Sequence, residues 1–180
     1  MYAPPPQPPP PKSGFPTWAI VLIVVAGGCI VVLPVVSVLA VYGVRKYLAN
    51  AKTAEARASL KQIAMDAAQT YERDHALCPS ASTAVPVSMS MLHATKYQSV
   101  VSDWQIDARR RAGFACLGFG IEEPQYFQYS YTRTSPTEFE AVAHGDLNGD
   151  GKMSTFTVRG VVKGGRVELA PRLEESDPEE

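Results

Sequence analysis

Residues 45–74, RKYLANAKTAEARASLKQIAMDAAQTYERD, decide the fold. Tyr47, Ala51, Ala54 and Ala58, then Leu60, Ile63, Ala64, Ala67 and Tyr71, recur at three- and four-residue steps. That is the spacing of one helix face. Alanine and long charged side chains give the segment high helix propensity throughout. Upstream, from Ala19 to Val44, there is no charged residue, and no turn signal separates the two parts. The apolar part has the length of a bilayer crossing and the charged part reads as the same helix continued into water. From Trp18 to Asp74 the helix would be a rod of roughly 85 Å at about 1.5 Å per residue. It should stop near His75 to Cys78, because Pro79 and the Ser/Thr-rich stretch after it cannot continue a helix.

Within the expected span 18–44, Gly27-Gly28 favours close helix approach and Pro34 a local bend. Arg45, Lys46 and Lys52 would by charge lie on the cytoplasmic side. The cysteines past the span argue for an oxidising compartment instead, and the reading follows the cysteines. The tail 1–17 is dominated by proline and should be extended and solvated.

The 180 residues carry a net charge of -1, so the chain as a whole makes no case for nucleic acid. Less the tail and span, roughly 100 to 130 residues remain, enough for one soluble domain with its own core. Strand candidates follow at regular spacing: Phe114–Phe119, Tyr126–Tyr131, Glu138–His144, Thr155–Val162, and Arg166–Leu169 after the tight Gly164-Gly165 turn. Ser80–Val101 reads as a loop with a short helix near Met89–Tyr97. The expected class is α+β: a long N-terminal transmembrane-plus-soluble helix packed on a small antiparallel sheet. The head spans 45–171, including the helix extension 45–75, and 172–180 reads as an acidic disordered tail.

The segment Lys46 to Arg57, followed by Leu60-Lys61-Gln62-Ile63, resembles the first helix of type IV pilins and type II secretion pseudopilins. Leu22 to Ala26 is similar to that family's membrane segment, and Gly14-Phe15 matches its processing site. The resemblance implies a structural subunit of a pilus or secretion-type filament, single-pass in a bacterial inner membrane, with its head in the periplasm or outside. Its partners would be the membrane and other pilin-like subunits along the long helix, with no nucleic acid and no small-molecule substrate. The chain departs from the family pattern at Ala19, where the family carries the glutamate used in assembly. A non-polymerising, membrane-anchored binding module with the same fold is therefore the alternative.

Two further motifs carry chemistry. Cys78 and Cys116 sit beyond the span, one just past the helix, and a structural disulfide is expected, with two free thiols as the alternative. In Gly145 to Phe156, the side chains of Asp146, Asn148 and Asp150 alternate and Gly151 follows, as in the first half of a calcium loop. The Lys152 carbonyl and Ser154 would complete the ligand set, but Thr157 stands where a closing glutamate belongs. Calcium binding and a plain hairpin turn are both open at this point. Arg109-Arg110-Arg111 reads as a solvated basic run, and His75, His93 and His144 have no ligand spacing. No Ser/His/Asp set, phosphate loop or zinc motif is present, so no catalytic role is expected.

Overall fold

The computed structural model describes residues 16–92 and 95–178; within 17–49 it describes the side chains at 18, 35–40, 42–44 and 47. The expected tail 1–17, with its processing pair Gly14 and Phe15, falls outside the described residues apart from Pro16 and Thr17. The chain divides into two units at Val44/Arg45. Helix α1 (Thr17–Asp74) is 58 residues long and contributes to both.

In the first unit, Val35, Val36, Val38, Leu39, Tyr42 and Val44 are each more than half exposed. A bilayer crossing needs about 20 consecutive apolar residues, and among the described residues no helix is long and apolar enough for one. The expected transmembrane helix, and with it the single-pass inner-membrane localisation, is corrected on that ground. Of the expected span, the side chains at 19–34 and 41 lie outside those described.

The second unit is α+β with an antiparallel sheet. Here α1 turns Thr53, Ala56, Leu60, Ile63, Ala64, Ala67 and Thr70 inward, all buried. These steps of three and four make one stripe. The helix ends where expected: His75 takes φ 54, and its N–H reaches the Tyr71 carbonyl at 2.8 Å. Leu77 and Cys78 then drop into the core.

Strands β1 (Gln128–Ser135), β2 (Glu138–Gly145), β3 (Ser154–Lys163) and β4 (Arg166–Leu169) lie in that order. A fifth strand, β5 (Glu174–Ser176), pairs with Thr155–Thr157 of β3, while β4 pairs with Gly160–Lys163. Side chains alternate between faces with the two-residue period of a strand. On the inner face the register sets large against small: Tyr131 faces Ala141, and Tyr129 faces Ala143. Phe139 faces Gly160 across the next pair. A Cβ on Gly160 would stand 2.3 Å from the Phe139 ring, so the ring occupies the space a side chain would need. This face and the α1 stripe form one apolar core with Phe127, Phe156 and Val158.

Residues 75–127 cover the outer edge of β1. Val85 and Tyr129 exchange backbone hydrogen bonds of 2.9 and 2.8 Å, and Ala81 N–H reaches the Tyr131 carbonyl at 3.0 Å. This part holds 3-10 turns at Met89–Met91 and Ala108–Arg110, helix α2 (Val101–Trp104) and helix α3 (Gly113–Leu117).

Two sequence expectations change here. Phe114–Phe119 was expected as a strand, but Gly113–Leu117 is helical, closed by Gly118 at φ 72. Phe114 and Leu117, three apart, both face the core; a short apolar run does not distinguish the two periods. The acidic end was expected to be disordered, yet Glu174–Ser176 forms β5. Arg57 holds Glu175 through two hydrogen bonds of 2.8 and 2.9 Å, and Arg159 binds Glu174 at 2.5 Å and Glu140 at 2.7 Å. Glu179 and Glu180 lie outside the described residues.

Candidate functional site

The loop between β2 and β3 folds its polar side chains back on itself. Asp146 is buried, at 2% exposure. Its two carboxylate oxygens accept the N–H groups of Gly149 at 2.7 Å and Gly151 at 3.2 Å. Asn148 Oδ1 accepts the Asp150 N–H at 2.9 Å, and Asp150 Oδ1 accepts the Lys152 N–H at 2.8 Å. Gly149 and Gly151 take φ 79 and 88, a turn that a β-carbon would strain. Ser154 is buried at the start of β3, opposite Gly145. Among the described residues no group of three His, Cys, Asp or Glu is placed to hold a metal. Asp146, Asn148, Asp150, Lys152 and Ser154, the residues expected for calcium, lie along this loop and the start of β3: two carboxylates and an amide are gathered there, and their oxygens accept loop N–H groups.

Charged residues bordering the buried stripe of α1 tie the helix to this end of the sheet. Lys52 Nζ donates to the Leu147 carbonyl at 2.9 Å and lies 4.9 Å from the centre of the Tyr126 ring; Lys96 lies 4.7 Å from the same ring. Glu55 Oε1 accepts the Tyr126 N–H at 2.8 Å, with the Tyr129 hydroxyl at 3.4 Å. Burial pushes the Glu55 carboxyl above its ordinary value, and the Tyr126 N–H and Tyr129 hydroxyl pull part of the way back. Sequence reading missed Lys52, Glu55 and Arg57 as fastenings. Their signal was present: each flanks a position of the buried stripe.

Beside α2 and α3 lie two clefts with shared walls. The first, of about 510 Å3, is bordered by Val100, Val101, Trp104, Phe119 and Ile121. Trp104 meets Phe114 and Phe119 edge-on at 5.0 and 5.3 Å, and its Nε1 donates to Ser99 Oγ at 3.1 Å. The second, of about 540 Å3, is bordered by Arg73, Asp74, Gln105, Arg111 and Cys116. Cys78 and Cys116 are joined as a disulfide with a Cα–Cα distance of 5.9 Å. The bridge ties the end of α1 to α3, where a strand was expected.

Asp107, two residues before the basic run, is a buried acceptor: Oδ2 takes the Ser82 N–H at 2.7 Å, and Oδ1 binds Arg110. Burial would raise its carboxyl, but Ser82 and Arg110 outweigh burial and hold it below its ordinary value.

Comparison with protein families, with curated proteins and with solved structures returns no match. Nothing in those comparisons points to a pilus or a secretion system.

Proposed function

We propose a structural role: a subunit that associates with further subunits through the first half of α1, with the Arg45–Glu180 unit as its head. The proposal includes no catalytic step. The observation that carries it is a face of exposed apolar side chains on α1. Val35, Val38, Leu39 and Tyr42 stand at i, i+3, i+4 and i+7, each more than half exposed. Burying one such side chain contributes on the order of 1.5 to 3 kcal/mol. A row of them left in water favours association. The resemblance of Lys46–Ile63 to the pilin family supports the same reading, because that family uses its first helix for assembly.

Sedimentation of the full chain with and without Val38→Asp/Leu39→Asp tests the role. The wild type should associate as concentration rises and the variant should stay monomeric. A wild type monomeric throughout, or a variant that associates equally, would end the proposal. A monomer would instead favour a binding module, for which the cleft bordered by exposed Val100 and Val101 is the supporting observation.

A further inference from the structure

The two halves of the disulfide have different surroundings. Cys78 is buried, at 2% exposure, whereas Cys116 is half-buried and borders the cleft of about 540 Å3. Arg73 and Arg111 border the same cleft. Arg73 binds Asp74 through two hydrogen bonds of 2.8 Å, and together with Arg111 it holds the Asp74 carboxyl below its ordinary value. Two guanidiniums against one carboxylate leave the wall with a positive excess. Thiol–disulfide exchange needs a thiolate to reach one sulfur, so access selects which sulfur is attacked.

We infer that Cys116 is a thiol-exchange site for small thiols that carry carboxylates. The carboxylates meet Arg111 and Arg73 in the cleft, and the thiolate attacks Cys116 Sγ. A new sulfur–sulfur bond forms there as the Cys78–Cys116 bond breaks. The electron pair of the broken bond goes to Cys78 Sγ, which takes up the proton the incoming thiol gave up. The product is a mixed disulfide on Cys116 and a thiol on Cys78, with no net oxidant consumed. The covalent tie between the end of α1 and α3 is thereby opened. This inference does not depend on the assembly proposal.

The test uses the full chain, folded, with excess glutathione at neutral pH, quenched in acid and mapped by peptide mass spectrometry. The adduct should appear on Cys116 and not on Cys78. Rates for glutathione and for cationic cysteamine are each normalised to their rates on a small-molecule disulfide. Glutathione should then be the faster, and added salt should shrink the difference. Arg111→Gln should lower that preference by about two- to fivefold, the scale of an exposed charge contact. The salt dependence reads the same effect on the wild type and needs no variant. An adduct on Cys78, equal normalised rates for the two thiols, or no adduct without denaturant would overturn the inference.

Discussion

The sheet with its helix and the segment 75–127 are held together in different ways. Between β1–β3 and α1, the work is done by area: Tyr129, Tyr131, Phe139 and Phe156 are at most 1% exposed and interlock with alanines and Gly160. In 75–127 regular structure is short, and specific fastenings add to the area that Val85, Trp104, Phe114 and Phe119 bury: the Cys78–Cys116 bridge, the Asp107–Ser82 hydrogen bond, and the Trp104–Ser99–Ile121 chain at 3.1 and 2.8 Å. Damage to the first region should therefore lower the stability of the whole unit. Damage to the second should loosen that segment first.

The largest expected effect is Phe139→Ala. It removes a ring packed over Gly160 and tilted against Tyr131 at 5.6 Å, and it should cost about 3 to 5 kcal/mol. Urea unfolding should stay cooperative, with a lower midpoint at every probe. A biphasic transition would break the comparison from the sheet side.

Opening the bridge comes next. Cys116→Ser should cost about 2 to 4 kcal/mol, because the unfolded chain regains the freedom of the closed loop. Hydrogen exchange should quicken within 79–117 well before it does in β2 and β3. Uniform acceleration would mean that the segment and the sheet open as one body.

How legible each region was follows from the same difference. The pattern in Glu138–Gly145 alternates strictly, and Arg166–Leu169 follows two glycines at φ 57 and 79, so both strands could be read locally. The helix face in 53–70 was equally local. β5 could not be read that way: its three residues are all exposed, and it is held by Arg57 and Arg159, far away in the chain. Asp107 was hidden for a similar reason, since its partner Ser82 lies 25 residues upstream. At the candidate sites, the cysteine pairing was legible from composition and position. The Asp146–Lys152 turn was legible as a loop. Its tie to Lys52, across 95 residues, was not.

Asp107→Ala tests the smaller fastenings. It leaves the Ser82 N–H without its acceptor and should cost about 1 to 3 kcal/mol. Its own pH signature is separable. A carboxyl held below its ordinary value of 3.8 stabilises the fold above that pH and loses its contribution as pH falls through the lowered value. The variant should therefore lack part of the wild type's acid destabilisation, seen as a flatter stability curve below about pH 4.

The smallest effects lie inside the region held by area, at two of its half-buried titratable groups. Glu55 has its carboxyl raised above 4.5 by burial. His144, whose Nδ1 lies 3.0 Å from Thr155 Oγ1, has its ring lowered below 6.5, also by burial. Both favour the neutral form in the fold, yet their signs with pH are opposite. The folded Glu55 binds more protons than the unfolded one just above pH 4.5, so its contribution falls as pH rises through that window. The unfolded His144 binds more protons just below pH 6.5, so its contribution falls as pH drops. Glu55→Gln should therefore gain on the wild type from acid toward neutral pH, and His144→Asn should gain on it from neutral toward acid. Urea midpoints at intervals between about pH 4 and 7 measure both. If both variants drift in the same direction, burial is not what sets these two groups, and the region is held by charge more than by area.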